Sequence, residues 1–115
     1  MEKHVELSCL LDQYGAMLTE RQRMLMEQHI SEDYSLAEIA EREGISRQGV
    51  RDALKRGEEQ LYELESKLHL MERNGLMRAK VQELMALAEA LGAENPAGQA
   101  LRNKLNELND MIGEW

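Results

Sequence analysis

The sequence predicts an all-α protein organised around a helix-turn-helix, without the β-hairpin wing that some such domains carry. Proline occurs once, phenylalanine is absent, and the apolar residues are mostly Leu, Met, Ala and Ile, a composition that favours helices over sheets. Apolar side chains recur at three- and four-residue spacing along most of the chain. Residues 33–56 contain the start and stop signals of two helices joined by a tight turn.

Length, charge and cysteine content limit the class of protein. A chain of 115 residues fits one domain with at most one appendage. The net charge of -8 argues against broad, non-specific affinity for nucleic acid, which depends on neutralising phosphates. Cys9 is the only cysteine, so neither an internal disulfide nor a cysteine-based zinc site can form, and it is expected to be a small packed side chain. No segment has the roughly 20 apolar residues of a membrane span or the pattern of a signal peptide, so we expect a soluble, cytoplasmic protein.

Two helices are predicted before the helix-turn-helix. The first covers residues 2–18, with Met17 on its inward side. Thr19-Glu-Arg-Gln22 has the pattern of a capping box, so the second helix is expected from about Glu20 to Ile30, with Met24 turned inward.

The helix-turn-helix follows from local signals. Ser35-Leu-Ala-Glu38 is a second capping box, which opens the third helix at Leu36. Gly44 is placed where a left-handed residue closes a helix, and Ile45 is expected to fill the angle between the two helices. Ser46 is a suitable N-cap for the fourth helix.

The fourth helix is predicted from residue 47 to about 73, which is longer than a helix-turn-helix core requires. The apolar side chains in its C-terminal half must be buried against another helix, either from this chain or from a second copy. We therefore predict a homodimer, and the residues predicted to lie in its interface are Leu61, Leu64, Leu68 and Met71.

The remainder, residues 74–115, is predicted to be a helical hairpin used for packing or dimerisation, distinct from a helix-turn-helix domain over residues 1–73. Asn74-Gly75 is the expected stop of the fourth helix, and Gly92 closes the fifth. Asn95-Pro96 is an N-cap followed by proline at the first helical position, and the short loop implies that the fifth and sixth helices are antiparallel.

A helical wheel divides the start of the fourth helix into two sides. Basic and amide side chains lie on one side, and Val50 and Leu54 lie on the other. Arginine can pair bidentately with guanine and glutamine with adenine, and the exposed amides at a helix N-terminus can hold a phosphate. The alternative is a purely structural or protein-binding unit with a solvated charged side, which Asp52 and Glu58-Glu59 favour. The candidate nucleic-acid-binding residues are Ser46, Arg47, Gln48, Arg51, Lys55 and Arg56.

The sequence offers little support for catalysis. His4, His29 and His69 are too scattered to form a ligand pair, and no phosphate-binding glycine loop or Ser/His/Asp arrangement is present. We therefore expect no enzymatic activity, no metal site and no cofactor.

Four segments resemble the YlxM family of small bacterial helix-turn-helix proteins, whose helix-turn-helix is similar to region 4 of bacterial sigma factors. These segments are Leu18-Thr-Glu-Arg-Gln22, Asp33-Tyr-Ser-Leu-Ala-Glu-Ile-Ala40, Ile45-Ser-Arg-Gln-Gly-Val-Arg-Asp52 and Lys67-Leu-His-Leu70. The resemblance implies an all-helical, dimeric, non-enzymatic regulator linked to the signal recognition particle pathway. The chain departs from the family pattern at Arg51, where an aromatic residue is frequent, and at residues 24–29, where the family has tyrosines.

Two hypotheses about function follow. The first is a cytoplasmic regulatory protein that binds DNA, or the RNA of the signal recognition particle, through Arg47, Gln48, Arg51 and Lys55. The second is an adaptor whose acidic body binds a basic protein, such as the targeting GTPase or RNA polymerase, while the helix-turn-helix serves only as scaffold.

Overall fold

The computed structural model describes residues 2–113, and all of their regular structure is helical, which confirms the predicted all-α class. Within this range the helices fall into two compact units that divide between Met71 and Glu72. The six α-helices are α1 Lys3–Tyr14, α2 Glu20–Met26, α3 Leu36–Glu43, α4 Arg47–Leu68, α5 Leu70–Ala90 and α6 Pro96–Gly113.

The first unit has one apolar core, to which α1, α2, α3 and α4 all contribute. The helices α1, α2 and α3 each pack against α4, so α4 is the central helix of the unit. Burial of its large aliphatic side chains stabilises the fold by roughly 1.5–3 kcal/mol for each fully buried residue. Seven large side chains are almost completely removed from solvent, namely Leu10, Tyr14, Leu25, Met26, Ile39, Val50 and Leu61.

Short irregular turns follow the first two helices, where the sequence predicted that each helix would simply continue. A 3₁₀ turn at Gly15–Met17 ends α1 early, and a π-helical turn at Glu27–Ser31 follows α2. Because the 3₁₀ turn changes the angular position of each side chain, Met17 is 53% exposed rather than inward. The inward placement of Met24 was also wrong, since its side chain is 37% exposed.

The largest correction concerns the end of the fourth helix. It ends at Leu68, His69 takes a left-handed conformation with φ of 54°, and α5 begins at Leu70. The predicted stop at Asn74-Gly75 is wrong, because both residues lie inside α5.

The cause of the break at His69 is tertiary. The Leu70 amide donates to the Tyr14 hydroxyl at 3.1 Å, and the Met71 amide donates to the Glu65 carboxylate at 2.9 Å. Tyr14 in turn donates to that carboxylate at 2.6 Å. Side chains from α1 and α4 thus satisfy the free amides at the start of α5.

The second unit is an antiparallel hairpin of α5 and α6, as predicted. At the turn, the Asn95 side chain accepts hydrogen bonds from the amides of Ala97 and Gly98, and Gly92 is left-handed with φ of 84°. At the far end, the Arg78 guanidinium donates to the Ile112 carbonyl at 3.4 Å. Contacts at both ends fix the antiparallel pairing. The apolar residues buried in this unit are Val81, Ala88, Leu105 and Ile112.

Candidate nucleic-acid interface

The helix-turn-helix is formed by α3, the turn at residues 44–46 and the start of α4. The Ser35 hydroxyl accepts from the Glu38 amide at 3.1 Å, and the Glu38 carboxylate accepts from the Ser35 amide at 3.2 Å. Gly44 ends α3 in the left-handed region with φ of 67°, and the Ile45 amide donates back to the Ala40 carbonyl. These local bonds fix the turn before α4, as the sequence predicted.

The N-terminus of α4 is capped by Ser46, whose hydroxyl accepts from the Gly49 amide at 2.9 Å. A Cβ added at position 49 would lie 3.1 Å from that hydroxyl, so glycine gives the cap room. The amides of Arg47 and Gln48 precede this bond and point out of the helix end, where the helix dipole also favours an anion. This end of α4 can therefore hold a phosphate.

The inner side of α4 is buried along three turns. Val50, Leu54 and Leu61 are core residues, and Gly57 is buried beside Met26 of α2. A Cβ at Gly57 would lie 3.1 Å from the Met26 sulfur, which shows how closely α4 approaches α2. This packing fixes the rotation of α4 and therefore determines which side chains point outward.

All six nucleic-acid-binding residues predicted from the sequence are exposed, one at the N-cap and five on α4. They are Ser46, Arg47, Gln48, Arg51, Lys55 and Arg56. In the described part of the chain, none of the four cations among them has a carboxylate within ion-pair distance. Their charge is thus available to an external partner. We call Arg47, Gln48, Arg51 and Lys55 the basic face.

One side chain of the basic face already has a protein partner. The Gln48 amide nitrogen donates to the Asp52 carboxylate at 2.9 Å, one turn along α4. This bond holds the Gln48 side chain in one orientation, and it also places a negative charge beside Arg51. To contact a base edge, the Gln48 amide must either keep its hydrogen bond to Asp52 or replace it with one to the base.

A cluster of polar and aromatic side chains around α3 was not predicted from the sequence. The Arg42 guanidinium lies over the Tyr34 ring, 4.6 Å from its centroid, in a cation–π contact. Gln28 of the π-helical turn receives the Tyr34 amide on its carbonyl and donates from its side chain to Glu43. Residues 28, 34 and 42 are joined only in the folded chain, so no local pattern could have identified them.

The residues predicted for dimerisation do not form one free surface. Leu61 lies in the core of its own unit, and Leu64 and Met71 pack against that core. Only Leu68 is well exposed, at 40%. Packing within the chain satisfies most of these apolar side chains, because α1 lies along α4.

The described residues form neither a metal-binding cluster nor a membrane-spanning helix. Between residues 2 and 113, no three His, Cys, Asp or Glu side chains are grouped closely enough to hold a metal ion. No helix in that range is both long and apolar enough to cross a membrane.

Comparison with known proteins places the chain among its relatives. The model of the UPF0122 family, described as "Putative helix-turn-helix protein, YlxM / p13 like", matches residues 1–104. The chain belongs to this family. The match confirms the resemblance noted above and extends it beyond Leu70, through α5 and into α6.

Individual members of the UPF0122 family differ in how much of this chain they match. A UPF0122 protein of Lactococcus lactis subsp. cremoris is 37% identical over 114 residues, 99% of this chain and 96% of the relative. One from Clostridium botulinum is 47% identical over 74 residues, 64% of this chain and 68% of the relative. Both units of the fold therefore lie within the similarity to the Lactococcus protein.

Proposed function

We propose that this protein is a non-catalytic regulatory protein that binds nucleic acid through the basic face of α4. The observation that supports this most directly is the exposure of Arg47, Arg51 and Lys55, without internal ion pairs in the described residues, on a helix whose opposite side is buried at Val50, Leu54 and Leu61. A helix held in this way can enter a groove without rearranging the fold.

The roles of the individual side chains follow from their chemistry. Arg47 and Gln48, in the first turn of α4, are suited to base edges, since arginine pairs bidentately with guanine and glutamine with adenine. Arg51 and Lys55 lie one and two turns farther along the same side and are suited to phosphates. Ser46 and the neighbouring free amides add a phosphate site, and Arg56 is a flanking backbone contact.

The acidic remainder of the chain restricts this contact. Asp52 lies beside the basic face, hydrogen-bonded to Gln48, and Glu58 and Glu59 follow along α4. A chain with a net charge of -8 repels phosphates everywhere except at such a face. Contact with nucleic acid is therefore confined to the basic face, and the affinity of a single chain is weak and falls with salt. A second copy of the chain would raise the affinity.

The setting we propose is the signal recognition particle pathway, which the resemblance to the YlxM family implies. The two candidate nucleic acids are DNA and the RNA of the signal recognition particle. Binding to either one would place the protein in the cytoplasm. The UPF0122 relatives support the helix-turn-helix but name no target.

Titration of the double variant Arg47→Ala/Arg51→Ala against duplex DNA and against the particle's RNA, at low salt, tests this proposal. We expect affinity to fall by about 10- to 100-fold and the salt slope to decrease by about one to two. The control Arg21→Ala/Arg73→Ala removes the same two charges from exposed positions on other helices and should bind like the wild type. Absence of wild-type binding, or equal loss in the control, would contradict nucleic-acid binding by the basic face.

The adaptor hypothesis remains the second candidate, because exposed carboxylates such as Glu41 and Glu59 suit a basic protein. A complex with the targeting GTPase or RNA polymerase that survives Arg47→Ala/Arg51→Ala, but is lost in Glu41→Lys/Glu59→Lys, would favour it. A complex lost only in the arginine variant would favour a role for the basic face instead.

We also propose that the protein acts as a homodimer and that residues 74–115 contribute to its interface. The support is the large exposed apolar area of α5 and α6, together with Leu68.

A further inference from the structure

A cavity of about 550 Å³ opens beside the basic face, entirely within the first unit. The start of α1, the π-helical turn, the first residue of α3 and the middle of α4 surround it. This volume lies in the range of pockets that hold small organic ligands. Its floor is apolar, formed by Leu7, Met26, Ile30, Leu36 and Leu54.

The rim of the cavity has an excess of cationic side chains. Lys3, Arg51 and Lys55 lie there with Glu2 and Glu58. Lys3 and Glu58 neutralise each other in an ion pair of 2.8 Å. Among the described residues Arg51 and Lys55 have no ion-pair partner, so of the carboxylates that line the cavity only Glu2 is left to oppose their charge, while Asp52 lies beside Arg51 outside the cavity.

Two histidines extend this rim. His4 comes from α1 and His29 from the π-helical turn, and the Nδ1 atom of His29 lies 3.0 Å from the Tyr34 carbonyl oxygen. His4 can donate a hydrogen bond to an acid group from one ring nitrogen even when neutral. The Tyr34 carbonyl can only accept, so it takes the Nδ1 proton of His29, and His29 can donate to an acid group from Nε2 only when its ring carries both protons. The local surplus of donors contrasts with the acidic character of the chain as a whole.

We propose that this cavity binds a small amphipathic anion, a molecule with an apolar body and one acid group. The apolar body lies on the leucine, isoleucine and methionine floor, where it removes apolar surface from water. Arg51 and Lys55 hold the acid group by charge-assisted hydrogen bonds. A neutral molecule of the same shape gains only the first of these interactions.

Occupation of the cavity also has a consequence for the basic face. Arg51 and Lys55 belong to both, so an acid group bound to them competes with phosphate. This consequence rests on the proposed function: because the basic face binds nucleic acid there, an anion bound to Arg51 and Lys55 inhibits nucleic-acid binding. Binding of the anion itself does not depend on that function.

The test uses decanoate as the anion and decanol as its neutral analogue, each below the concentration at which it aggregates. Titration of the full-length, isotope-labelled protein by NMR should move the amide signals of Ile30, Leu36 and Leu54. Decanoate should bind at least about tenfold more tightly than decanol, the ratio expected for one charge-assisted hydrogen bond. Equal affinity, absence of saturable shifts, or shifts at the exposed leucines of α5 instead would each overturn the proposal.

Two variants with matched controls locate the site. Lys55→Glu should weaken decanoate binding by about tenfold or more, whereas Lys80→Glu, the same change on α5, should not. Leu36→Trp fills the cavity and should abolish decanoate binding. Leu76→Trp adds the same ring at an exposed position of α5 and should leave decanoate binding unchanged. Circular dichroism first establishes that each variant is folded, and binding that survives both cavity variants would overturn the site.

A final arm separates this proposal from the proposed function. Decanoate added to the nucleic-acid complex should release the nucleic acid at concentrations that saturate the NMR shifts. Saturable decanoate binding without any nucleic-acid binding would contradict the proposed function and leave the cavity site standing. Nucleic-acid binding without decanoate binding would overturn the cavity site and leave the proposed function standing.

Discussion

Tyr14 is the residue that links the first helix to the break between α4 and α5. Its side chain is fully buried, its hydroxyl donates to Glu65 and it accepts from the Leu70 amide. Burial, followed by the hydrogen bond to Glu65, raises the pKa of the Tyr14 hydroxyl. One phenol thus serves as both donor and acceptor in a partly buried network.

Tyr14→Phe is expected to lower the free energy of unfolding by about 1–3 kcal/mol, because Glu65 and the Leu70 amide lose a partner in a partly buried setting. Urea unfolding measures the change. Tyr34→Phe is the control, since it keeps the ring beneath Arg42 and should change stability by about 0.5 kcal/mol or less. Equal stability of the two variants would show that the Tyr14 hydroxyl does not support the break.

The Tyr62 hydroxyl should make the free energy of unfolding depend on pH in the alkaline range. Burial, and then a hydrogen bond to Glu6, raises the pKa of Tyr62 to about 12 from 10.0. The unfolded chain therefore loses this proton at lower pH than the folded chain, so the stability that depends on it is complete below about pH 10 and falls as the pH rises toward 12.

Urea unfolding of the wild type at about pH 8 and about pH 11 should show this fall, and Tyr62→Phe should reduce it. Lys3, whose pKa is raised first by its hydrogen bond to Glu58, loses its proton in the same alkaline region and contributes in the same direction. The difference between wild type and variant isolates the part due to Tyr62. Identical slopes would contradict its raised pKa.

At the scale of the element, glycines at two positions have opposite effects. Gly44 is left-handed at the end of α3, with φ of 67°, whereas Gly75 lies in the interior of α5 with nothing within 4 Å of an added Cβ. Alanine at position 44 must adopt a conformation that costs roughly 1–2 kcal/mol. At position 75 it should stabilise α5 by about 0.5–1 kcal/mol.

Thermal unfolding of Gly44→Ala and Gly75→Ala measures these two effects, and each variant is the control for the other. The melting temperature should fall for the first and rise for the second. A fall for Gly75→Ala would mean that Asn74-Gly75 ends a helix, as the sequence alone suggested, and would contradict the continuous α5.

The features predicted correctly are those encoded within a few residues. Ser35, Gly44, Ser46 and Asn95 each form the cap expected from their neighbours, and the alternation of Val50 and Leu54 with basic residues gave the rotation of α4 correctly. These features are local because a cap or a helical side needs only about one turn of sequence.

The features missed depend on residues distant in sequence. The break at His69 requires Tyr14, more than fifty residues earlier, and Asn74-Gly75 is a stronger local signal for a helix end than any residue near His69. The cavity likewise joins α1 to α4. For the candidate interface, the sequence could indicate which side chains point outward, but it could not show that Lys3, His4 and His29 lie beside them.

At the scale of the whole molecule, the two units differ in how they bury their apolar residues. The first unit has a core from four helices. The second has only two helices, and much of their apolar surface is exposed, which is unusual for a surface facing water. The large hydrophobic residues exposed there are Leu76, Met77, Leu84, Leu87, Leu91, Leu101, Leu108 and Met111.

The last prediction is that this surface mediates a homodimer, because two hairpins packed together form a four-helix arrangement with the core that one hairpin lacks. Sedimentation equilibrium at micromolar concentration should give twice the 13.2 kDa of one chain. Leu87→Glu, at a position that is 65% exposed, should yield the single-chain mass, whereas Gln82→Glu, on exposed polar surface of the same helix, should remain dimeric. A wild-type mass of 13.2 kDa would refute the dimer. Dissociation by both variants would instead indicate a general effect of added charge on α5, because only the leucine supplies apolar area to the interface.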